Sequence, residues 1–165
     1  KPTNKQADAI ITHKKGQACS VLTADCLPIL LCQRQGHEVA AIHAGWRGLL
    51  NGIIENTVAK LQSKPSDVIA WLGPAISQKA FEINDHIKNQ FIDKNSHNET
   101  AFSTRDSGLY ADLYQLATNT LQSLGVLDIY GGNHCTYSEP ERFFSYRRNK
   151  TTGRMATLII IKPNY

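Results

Sequence analysis

Two apolar runs separated by a short polar stretch constrain the fold of this chain most. Residues 27–32 and 38–43 are rich in Leu, Ile, Val and Ala, and residues 33–36 (Gln-Arg-Gln-Gly) lie between them. Such runs around a polar stretch with one glycine predict an antiparallel hairpin. A four-residue loop pairs, in order, Cys32 with His37, Leu30 with Val39, Pro28 with Ala41, and Cys26 with His43. The hairpin therefore predicts a sheet with a cysteine and a histidine near one end.

Apolar spacing and turn residues predict the other elements. Strands are expected at residues 9–12, 19–23, 67–72, 126–130, 143–146 and 155–161, and helices at residues 48–62, 84–94 and 113–124. Asp112 is expected to cap the last helix, with Gly125 just beyond its end. The polar residues 95–108 predict an exposed loop. Because strands follow one another at both ends, we expect a layered α/β (α+β) domain over residues 1–165, with a mixed β-sheet and flanking helices.

Length, charge and cysteine usage exclude several classes. The net charge of +4 is dispersed and lacks the clustering of a nucleic-acid-binding surface, so no nucleic-acid partner is expected. No apolar run reaches the roughly 18 residues of a membrane helix, so no membrane partner is expected either. The four cysteines form no C-x-x-C pair, and no secretory segment is visible at the start. Reduced thiols and a cytoplasmic location follow as expectations.

The run from His43 to Gly48 (His-Ala-Gly-Trp-Arg-Gly) has the composition of a site rather than of a core. Directly opposed residues on antiparallel strands have Cβ atoms about 4.5–5.5 Å apart. Cys26 and His43 are then close enough to share a metal ion or to form a nucleophile–base pair. A register slip of one residue would move Cys26 to the other face of the sheet. The structural alternative is a small buried cysteine and a histidine without chemistry.

Glycines and an arginine accompany this pair. Gly45 lets backbone approach a ligand closely. Arg47 is expected near a helix start, where a guanidinium and free amides attract phosphate or another anion. The alternative for Arg47 is a surface side chain bonded to a neighbouring carbonyl.

Eight short motifs carry a resemblance to a known family. The chain resembles the laccase-domain (YfiH-type) family, also called the multicopper polyphenol oxidase or purine nucleoside phosphorylase family. The motifs occur in the family's order from near the start of the chain to its end. They lie at residues 23–28, 43–48, 72–76, 112–113, 125–126, 135–136, 143–148 and 152–154.

This resemblance implies one metal ion, usually zinc, held by a His, Cys, His set. The cysteine corresponds to Cys26 and the second histidine to His43. The first histidine belongs to a Gln-Val-His motif that does not precede Ala7 in this chain. The resemblance therefore predicts that the chain lacks an N-terminal segment of a family member, and with it one metal ligand.

The implied activity is zinc-dependent phosphorolysis of adenosine, inosine, guanosine and methylthioadenosine, together with adenosine deamination. The partners are then a small nucleoside and phosphate. Arg47 and Arg147 would hold phosphate, and Asp25 would orient a metal ligand or exchange a proton.

Other functions stay open. A copper-dependent polyphenol oxidase, with copper in place of zinc, is the older family activity, although the chain has a single methionine, Met155. A Cys–His hydrolase, including a role in editing peptidoglycan precursors, would use Cys26 as nucleophile and His43 as base. A non-enzymatic binding module is the remaining alternative.

Overall fold

A five-stranded mixed sheet forms the centre of the fold. The computed structural model describes residues 7–163. The sheet has the order β1–β4–β3–β5–β9, in which only β5 and β9 run parallel. Its strands are β1 (Ala9–Thr12), β3 (Leu27–Gln33), β4 (Val39–Ala44), β5 (Val68–Leu72) and β9 (Asp128–Gly131). The predicted mixed sheet is confirmed.

Two smaller sheets complete the strand layers. In one, β2 (Ala18–Thr23) pairs antiparallel with β10 (Met155–Ile160). In the other, β8 (Gly108–Ala111) lies between β6 (Glu82–Ile83) and β7 (Phe102–Arg105). Strand β3 is covered on both faces: Leu27, Ile29 and Leu31 belong to the main core, while Leu30 packs with Cys19 and Val21 of β2. Burial on both faces explains why β3 is continuously apolar.

Four helices pack against these sheets. They are α1 (Trp46–Leu50), α2 (Ile53–Val58), α3 (Asp85–Lys94) and α4 (Leu113–Ser123). Asp112 caps α4 as predicted, since its carboxylate accepts hydrogen bonds from the N–H groups of Tyr114 and Gln115. Within residues 7–163, no helix is both long and apolar enough to cross a membrane.

The single helix expected over residues 48–62 is wrong. The structure has α1 and α2 instead, separated at Asn51 and Gly52. Gly52 has φ +82°, a left-handed conformation that interrupts helical hydrogen bonding and favours glycine. The apolar spacing continues across the break because both short helices bury residues such as Leu49 and Ile54 against the same core.

The exposed loop expected at residues 95–108 and the strand expected at residues 143–146 are also wrong. Residues Ser96–Ala101 form a 3₁₀ helix that leads into β7. Its Asn98 is buried and donates a side-chain hydrogen bond to the Phe91 carbonyl. The polar residues of this segment are therefore not all exposed. Residues 143–145 are irregular and lead into a turn at residues 146–148, where the Arg148 guanidinium donates a hydrogen bond to the Phe143 carbonyl.

Candidate active site

The β3–β4 hairpin places Cys26 and His43 two positions apart across the strands. The observed pairs are Cys32 with Val39 and Pro28 with His43, so the four-residue loop and its register are wrong by two residues. Leu27 pairs with Ala44, and continuing this register puts Cys26 opposite Gly45. A shift of two residues keeps every side chain on its predicted face. Cys26 and His43 are therefore diagonal neighbours on one face, a separation that side chains can bridge.

The Cys26 thiol is in contact with both His43 and Gly45. The Cys26 thiol lies close enough to the His43 imidazole to raise its pKa. A Cβ atom built on Gly45 would lie 2.9 Å from the Cys26 sulfur, closer than real contacts allow. Gly45 has φ −72°, so its backbone would accept a larger residue, but the added Cβ would displace the Cys26 thiol. Because Gly45 has no side chain, there is room for the Cys26 thiol beside the His43 imidazole.

Asp8 orients the His43 ring from the neighbouring strand. Its carboxylate lies 3.0 Å from His43 Nδ1, and its carbonyl accepts a 2.7 Å hydrogen bond from the His43 N–H. Because Asp8 engages Nδ1, Nε2 is the ring nitrogen left to interact with Cys26 or to bind an ion shared with it. A carboxylate behind a histidine is the usual arrangement around a bound metal. Sequence reasoning missed Asp8, although it directly precedes β1, whose first residue pairs with Ile42.

The pKa of His43 is raised to about 9. The interaction with the Cys26 thiol is the largest cause, and the hydrogen bond with Asp8 acts in the same direction, whereas burial opposes both. The imidazole is therefore held as a cation between a sulfur and a carboxylate. A metal ion bound to His43 would also be positively charged, so the Cys26 sulfur and the Asp8 carboxylate would stabilise a metal ion there as they stabilise a proton.

Asp25 is a buried carboxylate with both oxygens hydrogen-bonded. Its Oδ1 accepts from the Thr136 hydroxyl and its Oδ2 from the Arg147 N–H, each at 2.6 Å. The Asp25 carbonyl accepts from the Ile76 N–H at 3.0 Å. These contacts join the turn that carries Cys26 to the loops after β5 and β9. They support a positioning role for Asp25, and Thr136 is a partner that sequence reasoning did not identify.

The two candidate anion-binding arginines lie in different surroundings. Arg47 is exposed at the start of α1, and its guanidinium stacks on Trp46 at 4.2 Å from the ring centroid. Arg147 donates to the carbonyls of Ala80 and Glu82 at 3.4 and 3.3 Å. Its backbone touches Asp25, so Arg147 is linked directly to the turn that holds Cys26.

The described residues supply part of a metal-binding set. Within residues 7–163, no group of three or more His, Cys, Asp or Glu side chains converges as a metal site. Cys26 and His43 are donors of the kind that zinc prefers, and they would supply two of its four usual ligands. All four cysteines are free thiols, and Cys19 is buried in the core as predicted.

Comparison with known proteins identifies the family. The model of the family described as "Multi-copper polyphenol oxidoreductase laccase" matches residues 1–162.

The chain belongs to this family.

Curated members of the family are similar over nearly the whole chain. A Shigella flexneri protein named "Purine nucleoside phosphorylase YfiH" is 50% identical over 156 residues, which cover 94% of this chain and 64% of that protein. A Haemophilus influenzae protein named "Purine nucleoside phosphorylase" is 50% identical over 159 residues, covering 94% of this chain and 65% of its own length. The chain thus spans slightly less than two thirds of these relatives.

Solved structures of the family have the same fold. Neisseria meningitidis protein NMB0706, of the DUF152 group, superposes with a TM-score of 0.92 at 48% identity and covers 95% of this chain and 65% of that one. YlmD from Geobacillus stearothermophilus superposes with a TM-score of 0.85 at 29% identity, covering 96% and 62%. The expected YfiH-like α+β architecture is confirmed.

Proposed function

We propose that this chain forms the centre of a zinc-dependent purine nucleoside phosphorylase. Its substrates are adenosine, inosine, guanosine and methylthioadenosine, and the same centre deaminates adenosine. Two observations support this proposal. Relatives that are about 50% identical are named purine nucleoside phosphorylases. The family model matches residues 1–162. The observation that carries the proposal is the contact of Cys26 with His43, backed by Asp8.

Cys26 and His43 are proposed as two zinc ligands. The remaining ligands would come from outside residues 7–163 or from water. A zinc ion held by Cys26 and His43 would act as a Lewis acid that activates water for deamination. Asp8 keeps the His43 ring turned toward the ion, and Asp25 fixes the turn that presents Cys26.

Phosphorolysis needs phosphate beside the ribose. In this reaction a phosphate oxygen bonds to ribose C1′ while the glycosidic C–N bond breaks, and the departing base takes up a proton on nitrogen. Guanidinium groups bind phosphate oxygens through paired, charge-assisted hydrogen bonds. We assign this role to Arg147, whose backbone contacts Asp25, and to Arg47 beside His43 in sequence.

A second candidate is a metal-independent Cys–His hydrolase, as in peptidoglycan editing. The order Cys26, His43, Asp8 favours it, because a thiol, an imidazole and an orienting carboxylate form a nucleophile triad. Copper is the alternative to zinc at the same ligands, as in a polyphenol oxidase. Metal analysis after growth with both metals, combined with a phenol-oxidation assay, discriminates between them.

The test is phosphate-dependent release of hypoxanthine from inosine, using protein of native length and measured metal content. Cys26→Ala and His43→Ala are expected to abolish it, while the matched controls Cys32→Ala and His37→Ala retain it. Equal turnover in wild type and both site variants would reject the assignment. Activity that survives a chelator but is lost when iodoacetamide labels Cys26 would favour the hydrolase instead.

A further inference from the structure

A cavity of about 340 Å³ lies at the far end of the Arg147 side chain. Lys79, in the turn between β5 and β6, and Glu82, the first residue of β6, form one wall. Tyr110 of β8 and the segment Tyr137–Ser138 form the others. The cavity thus has two cationic side chains, one carboxylate and three hydroxyl groups on its walls.

The two cations carry charge that the surrounding chain does not neutralise. Among residues 7–163, the Lys79 ammonium has no hydrogen-bond or ion-pair partner. Arg147 bonds only to the neutral carbonyls of Ala80 and Glu82 and lies 5.5 Å from the Phe81 ring centroid. A guanidinium has five N–H donors, so several remain after these two bonds. Both cations therefore have donors available for a ligand.

The other groups around the cavity reduce this positive charge without cancelling it. Arg105 stacks on the Tyr110 ring at 4.7 Å and adds positive charge nearby, and the Tyr110 hydroxyl is paired with Ser107 at 2.9 Å. Glu82 is the opposing charge. Two cations against one carboxylate leave the cavity positive, and the Tyr137 hydroxyl is a further donor on its wall.

The cavity is tied to the candidate active site by one residue. The Arg147 backbone N–H bonds to Asp25, which directly precedes Cys26, and the Arg147 side chain reaches the cavity. Arg47 does not line it. An anion bound in the cavity would thus lie one arginine side chain away from the turn that holds the proposed zinc ligand.

We infer that this cavity binds a phosphate group, held by Lys79 together with Arg147. The group is either inorganic phosphate or the phosphate of a sugar ester such as ribose 1-phosphate. Binding itself is independent of the proposed function. The role of the site as the phosphate subsite of phosphorolysis rests on that function, and Lys79 is then a further substrate-binding residue beside Arg147.

Isothermal titration of the native-length protein with inorganic phosphate, and separately with ribose 1-phosphate, tests binding at constant ionic strength. Lys79→Ala and Arg147→Ala are each expected to raise Kd about tenfold or more, because each removes a charge-assisted contact. Lys79→Arg should stay within a few-fold of wild type. Glu82→Gln should tighten binding, and Lys64→Ala, an exposed lysine on another turn, should leave it unchanged.

A kinetic measurement separates this inference from the proposed function. Lys79→Ala should raise the KM for phosphate about tenfold in inosine phosphorolysis without changing the KM for inosine. Phosphate binding that depends on Lys79 in a protein without phosphorolysis supports the site and rejects the proposed function. No saturable binding of either ligand, or equal Kd values for wild type and Lys79→Ala, overturns the inference. Binding of the ester alone supports the site and identifies the sugar phosphate as its source.

Discussion

The Asp25 carboxylate accepts a 2.6 Å hydrogen bond from the backbone N–H of Arg147, 122 residues further along the chain. Asp25 also has φ +89°, the one positive φ at a non-glycine residue among those described. Aspartate tolerates this conformation better than most residues, and the hydrogen bonds compensate for its cost. The turn that presents Cys26 is therefore held by contacts to distant loops.

Replacing Asp25 should destabilise the fold. Asp25→Ala removes two buried hydrogen bonds to a charged group and leaves alanine in a strained backbone, so we expect a loss of about 2–4 kcal/mol in unfolding free energy. Asp25→Asn, which keeps one acceptor and tolerates the same φ, should lose less. Urea denaturation measures both. Asp93→Ala, at an exposed helical position, is the control, and a similarly small effect for Asp25→Ala would contradict this account.

Adding one methyl group at Gly45 should displace the Cys26 thiol. The new Cβ would lie 2.9 Å from the sulfur, which rotates more easily than the backbone moves. Gly45→Ala is therefore expected to fold normally but to lose most of its zinc affinity, measured by chelator competition. Gly48→Ala is the matched control, since its Cβ would meet atoms at 3.5 Å or beyond. Unchanged zinc affinity in Gly45→Ala would show that the Cys26 sulfur is not a ligand.

Removing the carboxylate behind His43 should weaken metal binding without removing a ligand. Asp8→Ala frees the imidazole to rotate, and we expect zinc affinity to fall about ten- to a hundredfold. The backbone bond from the His43 N–H to the Asp8 carbonyl is retained in this variant. The readout is competition with a chromophoric chelator, again against Asp93→Ala. Identical affinities would leave Asp8 with a structural role only.

Glu38 should make stability depend on acid pH. Burial alone would raise the pKa of this carboxyl. Hydrogen bonds from the Gln62 N–H, the Ser63 hydroxyl and His13 outweigh burial and lower the pKa below 4.5. Because the pKa of Glu38 is lower in the folded state than in the unfolded state, its carboxylate stabilises the fold fully when the pH is above the unfolded-state pKa. This stabilisation is lost as the pH falls through the folded-state pKa.

Glu38→Gln should therefore cost about 1–3 kcal/mol near neutral pH. The difference in unfolding free energy between wild type and variant should shrink as pH falls below about 4.5. Denaturation series from pH 7 to pH 3 measure this difference, and the exposed Glu141→Gln serves as control. A difference that stays constant or grows toward low pH would disprove the contribution assigned to Glu38.

The sequence predicted the part of the site that depends on side chains alternating between the two faces of a strand. The strand period of two residues fixed the shared face of Cys26 and His43, and that prediction holds despite the register error of two residues. The error arises because the hydrogen bond from the Gln33 N–H to the Glu38 carbonyl places the four-residue connection one position further along the chain. The contacts of Asp25 with Thr136 and Arg147 were not predictable, because no periodic pattern relates residues more than 110 positions apart. Residues 143–146 were mistaken for a strand because their aromatic content is typical of strands. In the structure the Phe143 carbonyl accepts a hydrogen bond from the Arg148 guanidinium rather than from a neighbouring strand.

The most direct test of the central claim is zinc K-edge X-ray absorption on the zinc-loaded, native-length protein. If Cys26 and His43 bind one ion, the spectrum of the wild type should contain one sulfur neighbour at about 2.3 Å and imidazole nitrogen at about 2.0–2.1 Å. Cys26→Ser should lose the sulfur contribution, and His43→Ala should lose part of the nitrogen contribution. A wild-type zinc shell without sulfur, or a sulfur signal that persists in Cys26→Ser, would contradict the account.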